Sequence, residues 1–189
     1  TNYMFTEINA AIYYAADNGA DIINMSLGAY EESFIDGHGK QQNGIEGAST
    51  YFKEAINYAY NKGVTVIAAA GNEKTDECSY PASNNNVIGV GALGRNTSTT
   101  IASYSNFGLH NVDIVSPGSV YVADIGGVSA YTETQGTSFA APIVASAAAI
   151  YKGKYPTATP AKIEQRLKET AYDLGAAGPD ATFGYGRLD

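Results

Sequence analysis

The sequence predicts an α/β protein in which helices cover a parallel β-sheet. Two consecutive units each combine an amphipathic helix with a short apolar strand, and only a few residues separate the helix from the strand. The strands, such as "VTVIAAAGN", are almost continuous apolar runs, which is typical of parallel strands buried on both faces. With 189 residues, of which 44% are hydrophobic and 16% charged, the chain is long enough for one domain with a sizeable core.

The first unit is a helix followed by a buried strand. Ile8, Ile12 and Ala16 recur at helical spacing and Gly19 suits a helix end, so we expect a helix over about residues 5–18. Directly after it, "ADIINMSLG" is a short apolar run that ends at Gly28. This run predicts one strand of the parallel sheet.

The second unit follows a long polar segment. Residues 29–47 lack a periodic pattern and are predicted to form a surface loop, and loops of this length are often functional. The segment "STYFKEAINYAYNKG" then predicts an amphipathic helix that ends at Gly63, and "VTVIAAAGN" predicts the strand after it. A further strand is predicted from "NVIGVGALG".

The last part of the chain combines a loop-rich region with two helices. Residues 97–131 are rich in Ser and Gly and contain short β-like pieces, "VDIV" and "VYVAD". An alanine-rich helix is predicted over about residues 138–154. Thr159 and Pro160 suit the N-cap and first position of a final helix with the body "AKIEQRLKETA". Because no linker divides the chain, residues 1–189 are predicted to belong to one domain.

Composition argues against several classes of function. The net charge of −8 leaves no basic patch for the phosphates of a nucleic acid. No apolar run reaches the length that spans a membrane. A single cysteine, Cys78, excludes an internal disulfide. The segment "GVGALG" matches a dinucleotide-binding pattern, but Thr/Ser-rich residues follow it where a helix is required, so its glycines are interpreted as permitting close strand packing.

Two segments have both a structural and a catalytic interpretation. In "QGTSFAAPIV", Thr137 or Ser138 could cap the helix with Pro142 in its first turn. Alternatively, Ser138 is a nucleophile at a helix N-terminus, where free N–H groups and the helix dipole favour an oxyanion. Asn72, at the end of the strand "VIAAAGN", suits a turn or a side-chain amide directed at the same oxyanion.

An ordered set of segments connects these observations. The chain contains "MSLG", "AAAGN", "YPA", "SPG", "GTSFAAP" and "GYGRLD" in that order. Over nearly its whole length it resembles the subtilisin-like serine proteases, or subtilases. The resemblance implies a three-layer α/β fold with a parallel sheet, in which residues 1–189 form the C-terminal portion of one peptidase domain and the N-terminal strands are missing from this chain. It also implies that Ser138 is the nucleophile and that Asn72 and the Ser138 N–H form the oxyanion hole.

The resemblance also implies where a substrate binds. One edge would pair with an extended peptide, and two walls would enclose the side chain before the scissile bond, with Glu73 at the rim of an apolar pocket. The edge is Ser26, Leu27 and Gly28; one wall is Ala69, Ala70 and Gly71; the other is Ser79, Tyr80, Pro81 and Ala82. Such a pocket favours large apolar or neutral side chains. Phe139 stands where many family members carry Met, which changes the nearby wall.

The sequence departs from the family in its acid–base residues. In subtilases the triad Asp and His lie before the "SLG" segment, in D-[ST]-G and H-G-T motifs, and neither motif occurs here. His38, His110 and the acidic residues Asp17, Asp21 and Asp113 match no triad position. We therefore expect a nucleophile-bearing fragment that is inactive alone and that depends on an N-terminal fragment carrying the Asp and His.

Two functions remain open at this stage. The first is a serine endopeptidase that acts on polypeptides through an acyl-enzyme, and the second is an inactive subtilase-like domain that binds peptides or a propeptide. The chemistry requires no cofactor. The resemblance nevertheless allows a structural calcium ion near the "YPA" loop, and Asp113 lies in a segment that can contribute to cation binding in the family. Without clustered carboxylates no metal ligand is assigned. Members of the family are usually secreted, and intracellular members exist.

Overall fold

The computed structural model describes residues 2–95, 97–124, 126 and 130–189. These residues form five helices and ten strands. The helices are α1 (Asn2–Asp17), α2 (Ala48–Tyr51), α3 (Lys53–Asn61), α4 (Thr137–Lys154) and α5 (Pro160–Thr170). The strands are β1 (Ile22–Met25), β2 (Ala29–Tyr30), β3 (Phe34–Ile35), β4 (Gln41–Gln42), β5 (Thr65–Ala69), β6 (Ser79–Tyr80), β7 (Val87–Leu93), β8 (Ile114–Pro117), β9 (Ser119–Ala123) and β10 (Tyr131–Gln135).

A four-stranded parallel sheet forms the centre of the fold. Its order is β1-β5-β7-β8, with neighbouring strands paired in parallel. All five residues of β5 and all seven of β7 are buried, which explains their nearly unbroken apolar sequences. The predicted parallel sheet is therefore confirmed.

Helices cover both faces of the sheet. Because alternate residues of a strand point to opposite faces, Val66 and Ala68 pack into the core with α1, α2 and α3. Ile67 and Ala69 pack into the core with α4 and α5 on the other face. These two cores give the three layers that the sequence predicts.

α1, α4 and α5 begin and end close to the predicted positions, whereas the single helix predicted over residues 49–63 is divided at Phe52 into α2 and α3. α1 and α3 bury apolar side chains at helical spacing, including Ile12 and Ile56. α5 begins as expected, because Thr159 Oγ1 accepts a hydrogen bond from Lys162 N and Pro160 occupies its first turn.

The segment 29–47 is more ordered than the predicted loop. β2 pairs with β6, and β3 pairs with β4 in a short hairpin. The hairpin encloses Asp36, whose carboxylate accepts hydrogen bonds from His38 N at 2.9 Å and Lys40 N at 2.8 Å. The expectation of a loop without secondary structure was wrong here, because side-chain hydrogen bonds and two-residue strands leave no periodic pattern in the sequence.

A second feature that the sequence did not indicate is β10. It pairs with β9 over five residues as an antiparallel ribbon. Its sequence, "YTETQ", is polar and is at least partly exposed along its whole length, so it carries no apolar alternation.

The sheet is open at β1. β1 pairs with β5 on one side, and the described residues contribute no strand to its other side. A cavity of about 450 Å³ lies along this edge, with a largely apolar lining from α1, β1 and the residues after β1. Among the described residues, no helix combines the length and apolar character needed to cross a membrane.

Candidate active site

Ser138 is the second residue of α4. Gly136 occupies the N-cap position without a side-chain cap, and Pro142 lies inside the helix rather than in its first turn. The interpretation of Thr137 or Ser138 as the N-cap is therefore wrong, and Ser138 is presented by the first helical turn. At this position its N–H has no intrahelical acceptor and lies in the positive field of an 18-residue helix.

Pro142 leaves one carbonyl of α4 without its helical hydrogen bond. Because proline has no N–H, the carbonyl of Ser138 four residues earlier lacks its helical donor. The hydroxyl of Ser26, just after β1, donates to that carbonyl at 2.8 Å. A residue of the predicted substrate-binding edge is thus bonded directly to the backbone of Ser138, the predicted nucleophile.

Asn72 is held by Thr137. Its Oδ1 accepts from the Thr137 N–H at 2.9 Å and from the Thr137 hydroxyl at 3.1 Å. The backbone N–H is only a donor, so the oxygen of the amide must face Thr137 and Nδ2 must lie on the other side. Asn72 is exposed, and no described residue accepts a hydrogen bond from its Nδ2, so this group is available to a ligand beside Ser138.

Thr137 completes a closed arrangement of hydrogen bonds. It is fully buried, and its hydroxyl accepts from Gly71 N at 3.1 Å while donating to Asn72. One side chain therefore joins the start of α4 to the end of β5. The sequence suggested a turn at this position but not this connection.

A partly buried network of hydrogen bonds adjoins Asn72. The Tyr30 hydroxyl and the Asn72 N–H both donate to the Glu73 carboxylate, the second at 2.6 Å. The Asn106 amide donates to the Tyr30 hydroxyl at 2.7 Å. Burial, together with the Glu73 carboxylate, raises the pKa of the Tyr30 hydroxyl well above its usual value, so it stays protonated as a donor.

Gly71 is required where this network meets the chain. Its φ of 106° lies in a region that side chains disfavour. A Cβ there would also collide with Asn106 Nδ2 and the Tyr30 hydroxyl. The glycine before Asn72 therefore lets the network approach the backbone closely.

A cavity of about 100 Å³ lies beside Ser138. Its lining consists of Leu27, Gly28, Tyr30, Ala69, Gly71, Asn72, Glu73, Ser79, Thr137 and Ser138. Seven of the predicted catalytic and substrate-binding residues are thus brought together around one cavity. Glu73, predicted at the rim of an apolar pocket, is among the lining residues, and Tyr30 adds a polar side chain that was not predicted.

The other predicted residues lie around this cavity without lining it. Ser26 contacts the backbone of Ser138, and Ala70 is fully buried with its carbonyl bonded to Asn106. Tyr80 pairs with Ala29 in the β2–β6 ladder, and buried Pro81 follows it through a cis peptide bond. Of the lining residues, sequence reasoning missed Tyr30.

Ser138 Oγ has a weak partner within the described part of the chain. It donates to the carbonyl of Ser26 at 3.4 Å, and no imidazole or carboxylate of the described residues is hydrogen-bonded to it. His110 Nε2 faces the carbonyl of Asp76, and His38 lies in the β3–β4 turn. Neither histidine lines the cavity beside Ser138.

The acidic residues that match no triad position have structural partners. Asp17 forms an ion pair with Lys62 and accepts from the Tyr58 hydroxyl, and Asp21 lies 3.7 Å from Lys152. These contacts anchor the two ends of the α1–β1 connection.

Asp113 has a structural role as well. One carboxylate oxygen pairs with Lys168 at 2.7 Å, and the other accepts from Gly89 N at 2.9 Å. Within the described ranges, no group of three or more His, Cys, Asp or Glu side chains could hold a metal ion.

Comparison with known proteins identifies the family. A subtilase family model matches residues 2–186. The thermophilic serine proteinase of Bacillus sp. (strain AK1) is 39% identical over 184 residues, which cover 97% of this chain and 40% of that protein. Subtilisin DY of Bacillus licheniformis is 37% identical over 175 residues, which cover 90% of this chain and 57% of that protein.

Solved structures share the fold. Sphericase superimposes with a TM-score of 0.77 at 29% identity, and a lanthipeptide protease with a TM-score of 0.79 at 26% identity. Each match covers 97% of this chain and 63% of the other. The chain thus spans about half the length of the curated relatives that it matches, between 40% and 57% for these two. Because the family match extends over nearly all of its residues, the chain belongs to the subtilase family.

Proposed function

We propose that the natural product of the gene encoding these residues is a serine endopeptidase with Ser138 as its nucleophile. One observation carries this proposal: Thr137 fixes the oxygen of the Asn72 amide, which leaves Nδ2 free beside Ser138. Asn72 and Ser138 also line the same cavity. A side-chain N–H, a helix-start N–H and a hydroxyl are three of the groups that acyl transfer at a serine requires, and a general base is the fourth.

The reaction follows from these groups. Ser138 Oγ attacks the carbonyl carbon of a peptide bond while a general base takes its proton, and the Asn72 amide and the Ser138 N–H stabilise the resulting oxyanion. The tetrahedral intermediate collapses, the base gives that proton to the leaving amine, and an ester on Ser138 remains. Water then attacks that ester as the base takes a proton from it, the free acid is released, and the proton returns to Ser138 Oγ. No cofactor takes part in these steps.

The base and its orienting carboxylate come from outside these 189 residues in this proposal. The family resemblance assigns them to an Asp and a His on a segment that precedes the "SLG" strand. The unpaired edge of β1 and the apolar cavity beside it suit such a segment, because a strand added there extends the sheet and buries that lining. A propeptide is a further expected partner, and an inactive state is expected for the chain alone.

The substrate is proposed to be an extended polypeptide. Residues 26–28 would pair with its backbone as an added strand. The cavity beside Ser138 would receive an uncharged side chain, because the Glu73 carboxylate is already engaged by the Asn72 N–H and the Tyr30 hydroxyl. Secretion, and a calcium ion bound near residues 79–82, are proposed from the family alone.

A second candidate is a domain that binds peptides without cleaving them. The observation in its favour is the 3.4 Å contact of Ser138 Oγ with a carbonyl rather than with a base in the described residues. Such a domain would keep the strand edge and the cavity. Peptide binding alone would not require a fixed Asn72 amide, so the hydrogen bonds that fix this amide favour the enzyme.

The test uses the natural gene product and its S138A variant. Each is incubated with casein and with an extended peptide, and the cleaved products are mapped by mass spectrometry. We expect cleavage by the wild type and none by S138A, with both proteins binding the peptide. Peptide binding without cleavage by the wild type would establish the second candidate.

A further inference from the structure

We propose that Asn106 is a positioning residue that holds the oxyanion amide of Asn72 in place. This role rests on the proposed endopeptidase function. Asn106 lies between β7 and β8 in the segment "YSNFG", and it is fully buried. It does not line the cavity beside Ser138, so it would act through the loop that carries Asn72.

Asn106 binds the loop on the N-terminal side of Asn72. Its backbone N–H donates to the carbonyl of Gly71 at 3.0 Å. Its side-chain Nδ2 donates to the carbonyl of Ala70 at 2.8 Å. Both carbonyls immediately precede Asn72, so Asn106 fixes the direction in which the chain leaves β5.

Asn106 also binds the loop on the C-terminal side of Asn72. Its Oδ1 accepts from Glu73 N at 2.9 Å and from Thr75 N at 3.3 Å. Nδ2 reaches the Tyr30 hydroxyl at 2.7 Å as well. A single planar amide therefore supplies an acceptor to one side of the loop and a donor to the other.

This arrangement needs an amide of this shape. An ionised Asp would place a second acceptor against the carbonyl of Ala70 and next to the Glu73 carboxylate, which is unfavourable in a buried site. A Ser could not reach both sides of the loop. An oxyanion donor tolerates an error of only about 0.5 Å, so loss of this clamp should reduce turnover more than substrate binding.

The chain contains a matched control in Asn111. It is also buried, and its Oδ1 accepts from Ser79 N at 2.9 Å while its Nδ2 donates to the carbonyls of Glu77 at 2.8 Å and Phe107 at 3.0 Å. Asn111 thus clamps a cavity wall rather than the oxyanion loop. Its replacement should disturb folding stability to a similar degree and raise KM rather than lower kcat.

The experiment is a double-mutant cycle in the natural gene product. N106S, N111S, N72A and the double variants N106S/N72A and N111S/N72A are compared with the wild type on one peptide substrate. We expect N106S to lower kcat by roughly 10- to 100-fold with KM changed by less than about twofold. In the N72A background N106S should have almost no further effect, whereas N111S should act independently of N72A.

A second variant covers the case in which N106S does not fold. N106D keeps the shape of the side chain, and a protonated Asp can donate to the Ala70 carbonyl as the amide does. Its kcat relative to the wild type should therefore rise as the pH falls, whereas protonation of the introduced carboxylate in N111D should restore KM and leave kcat unchanged.

The outcomes separate this role from the proposed function. A wild type without hydrolytic activity overturns the endopeptidase proposal and this role with it. An active wild type in which N106S and N72A act independently, or in which N106S changes only KM, overturns the role of Asn106 alone.

Discussion

The two sides of Ser138 differ in how completely this chain builds them. On the oxyanion side, the Asn72 amide is fixed by two hydrogen bonds from Thr137, and its loop is clamped by buried Asn106. On the other side, Ser138 Oγ reaches only the carbonyl of Ser26, at 3.4 Å, within the described part of the chain. Among the described residues, one half of the proposed hydrolytic site is held by hydrogen bonds, and the other half contributes no base.

The difference between the two sides of Ser138 follows from the position of their strands in the sheet. The oxyanion side is formed at the carboxyl end of β5, a fully buried strand with neighbours on both sides. The other side lies next to Ser26, which follows β1 at the open edge of the sheet. The part of the proposed site that lies on interior strands is therefore assembled by the described residues, whereas the part next to the open edge of β1 is proposed to depend on a segment added there.

The largest expected effect concerns the nucleophile. In the natural gene product, S138A should abolish peptide hydrolysis, because the other hydroxyl at the start of α4, that of Thr137, is buried and already bonded to Asn72 Oδ1. The measurement is casein hydrolysis at equal protein concentration, with circular dichroism as a check on folding. Residual hydrolysis at the wild-type rate would assign the activity to another residue.

The next effect concerns the oxyanion side directly. N72A should lower kcat by about 10²–10³-fold, the size of effect known for the oxyanion-hole amide of a subtilisin, a relative of this chain. KM should change little, because the charge on the oxygen develops in the transition state. Steady-state kinetics on a peptide substrate measures kcat and KM. An equal loss of kcat when an exposed Asn far from Ser138, such as Asn61, is replaced by Ala would contradict a specific role for Asn72.

A smaller effect is expected from Thr137, which joins the start of α4 to the end of β5. T137V keeps the shape of the side chain but removes the donor to Asn72 and the acceptor for the Gly71 N–H. We expect kcat to fall by about tenfold, which corresponds to about 1.4 kcal/mol in the barrier. T137S keeps the hydroxyl and should retain most of the wild-type kcat. A kcat as low as that of T137V would show that packing of the Thr137 methyl group matters instead of the hydroxyl.

The smallest effect concerns the cavity wall. Y30F removes the hydroxyl that donates to Glu73 and leaves that carboxylate with fewer partners. A cationic side chain in the cavity should then gain a few-fold in kcat/KM relative to an apolar one, since a partly exposed ion pair contributes up to about 1 kcal/mol. Paired peptide substrates that differ only in Lys or Leu before the scissile bond measure this preference, and an unchanged ratio would contradict the account of Glu73.

Much of the fold and part of the site could be predicted from the sequence. The buried strands and long helices carry strong periodic or apolar patterns, and the segments around Ser138 and Asn72 match the family. Tyr30 and Asn106 could not be found in this way. They lie 43 and 33 residues from Glu73 in the chain, in polar segments without a periodic pattern, and only the folded structure brings them to it.

β10 and the short strands after β1 were missed for a related reason. β10 is polar, and β2, β3 and β4 are each only two residues long. β2 pairs with β6, which lies far along the chain, whereas β10 and β3 pair with the neighbouring strands β9 and β4 without an apolar pattern to mark them. Sequence patterns report burial on a regular element, so they cannot report elements that remain exposed.

The most direct test of the assembled oxyanion side is the rate at which a fluorophosphonate labels Ser138. The phosphoryl oxygen of such a probe occupies the position of the oxyanion, so its reaction depends on the same donors. The natural gene product and its N72A variant are treated with the probe, and intact masses and labelled peptides are recorded over time. The account predicts one adduct per chain, located on Ser138, that forms much more slowly in N72A. No adduct in the wild type, or equal rates in the two proteins, would contradict it.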